Sequence, residues 1–134
     1  MNIEGIGHVG IAASNLDKTV AFFTENLGGE LVSKEPVIDQ KLISAMIKLG
    51  DNYLEIMEST AEDGVVSKFI VKIGEGIHHI SLKIKDIVGL VNSLEEKGVS
   101  VIGKQLTSPE VKIAFINPRS AYGVLIELVE YGKK

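Results

Sequence analysis

The chain has 134 residues, of which 45% are hydrophobic, and a formal charge of −4 from 14 basic and 18 acidic side chains. That length suits a single domain with a buried core, and no basic stripe of the kind a nucleic-acid binder carries is present. The absence of cysteine excludes disulfides, thiolate-bound zinc and a cysteine nucleophile, so any metal site must use histidine, carboxylate and water.

Residues 1–7 show neither the basic nor the apolar segment of a signal peptide. No apolar stretch approaches the roughly 18 residues of a membrane span. A cytoplasmic protein with no membrane partner is therefore expected. The first strand reads His8-Val9-Gly10-Ile11-Ala12. Leu16, Val20 and Phe23 follow at i, i+4 and i+7, one face of a helix, which should stop at Gly28. Strand-like segments come next over 30–32, 41–49 and 53–57. Residues 59–75 form a linker in which Val65, Val66, Phe69 and Ile70 are spaced for one short helix.

From His79 the pattern begins again. His79-Ile80-Ser81-Leu82-Lys83 lies 71 residues after the first strand, and Ile87, Val91 and Leu94 repeat the helix face before Gly98. Strands are expected over 100–102, 111–116 and 124–129. Tyr53-Leu54-Glu55-Ile56 matches Leu125-Ile126-Glu127-Leu128 at an offset of 72. Such a repeat is the first thing to seek in a sequence. It gives an α+β fold of two tandem βαβββ modules, at about 1–58 and 76–134, joined by the linker helix at about 59–75.

Side chains alternate faces along a strand. Val9 and Ile11, and in the second module Ile80, Leu82 and Ile84, should therefore face a helix. His8, Gly10 and Ala12, and likewise His79, Ser81 and Lys83, should face away, on surfaces that can curve around a cavity. Glu55 and Glu127 each interrupt an apolar strand, a costly placement unless a cation holds the carboxylate. A histidine at a strand start is usually structural and a strand glutamate usually solvated, but here both types recur at matched positions. His8, Glu55, His79 and Glu127 make a set suited to one divalent ion of the Co, Ni, Mn or Zn kind. In an octahedral ion they would leave two positions open for water or substrate. His78 should point to the opposite face, as a structural residue or as a support behind the ligands, and the matched Glu58 and Glu130 read as surface carboxylates.

The paired strand openings, the Gly76-Ile77-His78-His79-Ile80 segment and the ending Val124-Leu125-Ile126-Glu127-Leu128 resemble the vicinal oxygen chelate superfamily (glyoxalase, bleomycin-resistance and dioxygenase proteins) over nearly the whole chain. Within it, Phe115-Ile116-Asn117-Pro118-Arg119-Ser120 and Gly123-Val124-Leu125-Ile126-Glu127 are most like the methylmalonyl-CoA epimerases. That resemblance implies a glyoxalase-like fold, with the two modules forming a curved mixed sheet around one metal site, and a homodimer. It implies the same four ligands, His8, Glu55, His79 and Glu127, and a small thioester substrate. The reaction would be epimerisation by proton abstraction alpha to the thioester, through an enolate, with Glu127 or Glu55 as base. Asn117, Arg119 and Ser120 would bind substrate; Lys112 and Lys83 are further candidates for its anionic parts.

The chain departs from the epimerase pattern at Asn117, where histidine is usual, and at Ala121-Tyr122. It also has Ser44 where some epimerases place an acid/base carboxylate, with Asp39 the nearest one available. Glyoxalase I (lactoylglutathione lyase) is the alternative enzyme, disfavoured by the lack of an arginine on the first strand and of an aspartate-rich run at 117–120. A sequestering protein of the bleomycin-resistance type is a further alternative. The complete ligand set counts against it. An extradiol dioxygenase would need two histidines and one carboxylate on iron, usually in a longer chain.

Overall fold

The computed structural model describes residues 1–132. In chain order it contains β1 (Ile3–Ala12), α1 (Leu16–Ala21), β2 (Glu30–Val37), β3 (Leu42–Leu49), β4 (Asn52–Ser59) and α2 (Val65–Lys72), then β5 (Gly76–Ile84), α3 (Ile87–Glu96), β6 (Val101–Gln105), β7 (Val111–Ile116) and β8 (Ile126–Tyr131). The order is the expected βαβββ, helix, βαβββ. No helix among the described residues is long and apolar enough to cross a membrane.

Packing divides the chain differently from the sequence modules. One compact unit comprises residues 8–78; the other comprises residues 1–7 with 79 onward. The linker helix therefore belongs with the first module, while the opening residues belong with the second. The boundary falls inside β1.

In the unit of residues 8–78 the strands run β2-β3-β4-β1. β1 pairs parallel with β4, Gly10 opposite Glu55, while β3 is antiparallel to both β2 and β4. Asn15 caps α1 by accepting the Lys18 amide at 3.0 Å. A π-helical turn, Phe22–Asn26, carries α1 on toward Gly28. Gly28 adopts a φ of +73°, a conformation that costs glycine little and closes the helix. Leu16, Val20 and Phe23 pack as predicted against Ile11, Ala45, Ile47 and Ile56. The other face of the strands is covered at one end by α2. There Val66, fully buried, meets Ala12, Leu42 and Met57, with Phe69 and Ile70 beside it.

β2 runs five residues beyond the expected 30–32. It is an edge strand, with Pro36 in it and a register shift between Leu31 and Ser33. Its backbone pairs with β3 without needing an apolar side-chain pattern, and an edge tolerates proline.

In the other unit the strands run β5-β8-β7-β6. β5 is parallel to β8, Ser81 opposite Glu127, and β7 is antiparallel to both β8 and β6. Asp86 caps α3 through the Gly89 amide at 3.0 Å. Ile87 and Val91 are buried against Ile84, Val101, Ala114 and Leu128. β8 begins at Ile126, two residues later than predicted. The turn ahead of it, with Tyr122 at φ +54° and Gly123 at φ +95°, is not extended.

Candidate functional site

Each unit builds the same arrangement of one histidine and one glutamate on adjacent parallel strands. In the unit of residues 8–78, Glu55 on β4 lies opposite Gly10, and His8 stands two residues before Gly10 on the same face. Gly10 has no side chain to intervene, and His8 Nε2 lies 3.4 Å from Glu55 Oε1. In the other unit Glu127 on β8 lies opposite the small, buried Ser81, and His79 stands two residues before it. His79 Nε2 lies 3.9 Å from Glu127 Oε1. The side chains of these four residues are 5–20% exposed, so both carboxylates are largely withdrawn from water.

The donor chemistry of each pair fits a metal ion. The separations exceed the roughly 2.7–3.2 Å of an N–H···O hydrogen bond. Two donors each about 2.1 Å from one ion lie about 3 Å apart at a right angle and about 4 Å apart at most. Imidazole with a sheltered carboxylate is also the ligand type expected for borderline divalent ions.

Glu55 has a further partner that the sequence reading did not assign. Ser44 on β3, itself buried, donates its hydroxyl to Glu55 Oε2 at 2.7 Å. The signal was present in the sequence, since Ser44 interrupts the apolar run 42–47 much as Glu55 interrupts its own strand.

The remaining candidates have simpler surroundings. His78 rests edge-on against Phe69 of α2, with ring centroids 4.8 Å apart, in line with a structural role. Asn117 and Ser120 flank the 3₁₀ turn after β7. The Asn117 side chain accepts the Arg119 amide at 3.0 Å, and Ser120 Oγ accepts the Ser100 amide at 2.9 Å. Arg119, between them, is exposed. Lys83 is also exposed, and Lys112 Nζ lies 3.9 Å from Glu130 Oε2.

Glu58 and Glu130, read from sequence as surface carboxylates, are instead partly buried helix anchors. Glu58 accepts the Leu16 amide at 2.6 Å and Glu130 the Ile87 amide at 2.8 Å. A cavity of about 520 Å³ opens beside Glu58, lined by Ala13, Ser59, Glu62, Ile70 and Val71 among others. Neither His8 nor Glu55 lines it.

The family model described as Glyoxalase/Bleomycin resistance protein/Dioxygenase superfamily matches residues 5–128. The crystal structure of methylmalonyl-CoA epimerase from Mycobacterium tuberculosis superposes with a TM-score of 0.89 at 31% identity, covering 98% of this chain and 90% of that one. A single-residue variant of the Streptomyces coelicolor methylmalonyl-CoA epimerase, in complex with 2-nitronate-propionyl-CoA, gives a TM-score of 0.88 at 34% identity, covering 98% and 99%. The human mitochondrial methylmalonyl-CoA epimerase is 28% identical over 95% of this chain and 74% of its own length. The α+β fold is thus glyoxalase-like, and the chain belongs to the Glyoxalase/Bleomycin resistance protein/Dioxygenase superfamily.

Proposed function

We propose that the protein is a metal-dependent isomerase that epimerises methylmalonyl-CoA or a closely related acyl-CoA thioester. The observation that carries this reading is the matched pair His8–Glu55 and His79–Glu127, two sheltered carboxylates each set beside an imidazole. Likeness to epimerases over almost the full chain supports the substrate class. On this reading His8, Glu55, His79 and Glu127 are the residues that would hold one divalent ion. When bound, that ion would supply Lewis-acid stabilisation of the negative charge that develops on a thioester oxygen.

The chain's own groups supply the rest. Glu55 or Glu127, once loosened from the ion, would take the proton alpha to the carbonyl, and a proton drawn from water would add to the other face of the enolate. The partial burial of the carboxylates keeps each aimed by its strand. Arg119 is exposed on a turn that Asn117 and Ser120 hold in shape. There it offers a cation to the anionic parts of the substrate.

The test is deuterium incorporation at the alpha carbon of methylmalonyl-CoA in deuterated water, followed by NMR with cobalt-loaded protein. Metal-dependent exchange that is lost in Glu127→Gln is the expected result. No exchange from protein that holds one metal per chain would rule out this substrate and favour the lactoylglutathione lyase reading.

A further inference from the structure

We infer that Ser44 is a positioning residue for Glu55, fixing which carboxylate oxygen is offered to the metal, an inference that rests on the metal-dependent reading above. Ser44 lies on β3, opposite Met57 of β4 and thus diagonal to Glu55 on the same face of the strands. It is only 9% exposed. A buried hydroxyl needs a partner, and this one donates to Glu55 Oε2 at 2.7 Å. The other oxygen, Oε1, is the one 3.4 Å from His8 Nε2.

A carboxylate rotates about its terminal torsion and offers several acceptor sites. A short hydrogen bond from a neutral hydroxyl to one charged oxygen removes that freedom. The two oxygens of Glu55 are thereby given different tasks, Oε2 to the strand framework and Oε1 to the imidazole side. Ser44 sits in a paired strand rather than a loop, so the donor itself is rigidly placed.

The other unit does not repeat this device. In the β7–β8 ladder the position corresponding to Ser44 is Ile113, opposite Val129 as Ser44 is opposite Met57. Isoleucine can donate nothing. The matched glutamates are therefore not equivalent, since β3 supplies Glu55 with a hydroxyl that β7 does not supply to Glu127.

The experiment compares cobalt(II) binding to the full chain, Ser44→Ala and Ser44→Thr, by chelator competition and by the visible spectrum of the bound ion. Loss of a group that orients a ligand weakens metal affinity about 10–100-fold. Ser44→Ala should bind cobalt at least roughly tenfold more weakly, with an altered spectrum and an unchanged thermal midpoint of the metal-free protein. Ser44→Thr, which keeps the hydroxyl, should restore both affinity and spectrum. An unchanged affinity and spectrum in Ser44→Ala would overturn the role of Ser44 while leaving the metal site standing. Failure of the unaltered chain to bind cobalt would overturn both, and that outcome is distinct from the first.

Discussion

Glu58 Oε1 accepts the backbone N–H of Leu16 at 2.6 Å. Leu16 is the first residue of α1, where the amides have no partner within the helix and the helix dipole favours an anion. The second module repeats the contact with Glu130 and Ile87. The last strand of each module thus reaches back to fix the start of that module's own helix. Glu58→Ala should destabilise the protein by roughly 1–3 kcal/mol, the range for a charged hydrogen bond to a partly buried donor. Glu58→Gln keeps an acceptor and should cost less. Urea unfolding of the two variants measures both, and equal stabilities for Glu58→Ala and the parent would mean that the amide is as well satisfied by water.

The two adjacent histidines should behave differently. His79 is buried beside Glu127, whereas His78 lies against the Phe69 ring. His79→Ala should abolish retention of a divalent ion through exhaustive dialysis, as read by elemental analysis. His78→Ala should retain the ion and lose only packing at α2, on the order of 1 kcal/mol for an aromatic contact of this kind. Metal stoichiometry unaffected by His79→Ala would exclude it from the ligand set.

The module pattern was legible because burial imposes a period on the sequence. Leu16, Val20 and Phe23, and again Ile87, Val91 and Leu94, are the residues that meet the strands. The histidine–glutamate pairs were legible because polar groups stood where an apolar pattern predicts none. Contacts with no local period were not. β1 begins at Ile3 rather than at His8, since Ile3 and Ile6 are exposed and glycines break the alternation. The anchoring role of Glu58 depends on a partner 42 residues away, and nothing in the neighbourhood of either residue encodes it. Ser44 falls between the two cases. The resemblance to the epimerases singled it out as a departure at an acid/base position, but only the β3–β4 register showed which carboxylate it reaches.

The core of the unit of residues 8–78 rests on Ile47 and Ile56, both fully buried among Ala45, Leu16 and Phe23. Ile56→Ala should cost roughly 2–5 kcal/mol, from lost transfer free energy and the cavity left behind. Because Ile56 neighbours Glu55 on β4, the same change should loosen the carboxylate's strand and weaken metal retention. Val71, 89% exposed on α2, provides the contrast. Val71→Ser should shift stability by no more than about 0.5 kcal/mol. Thermal or urea unfolding of both variants checks the pair, and comparable losses would place Val71 in a buried contact in solution.

Glu75 Oε1 accepts the Ser14 amide at 2.8 Å. That contact, with the Ser14 hydroxyl as a second contributor, holds the Glu75 carboxyl below its ordinary value, against a smaller opposing effect of desolvation. The sign follows from proton linkage. A carboxyl whose folded pKa is depressed contributes stability above its unfolded pKa, and that contribution disappears as the pH falls through the lower folded value. Glu75→Gln removes the charge while keeping an acceptor. The stability difference between parent and variant should therefore be constant at neutral pH and shrink as the solution is acidified below the ordinary glutamate range, near pH 4.3. Carboxyl NMR titration gives the direct reading. A Glu75 midpoint below the ordinary value confirms the bond from the end of the linker to the β1–α1 connection, whereas a midpoint at or above it would mean that the bond does not persist in solution.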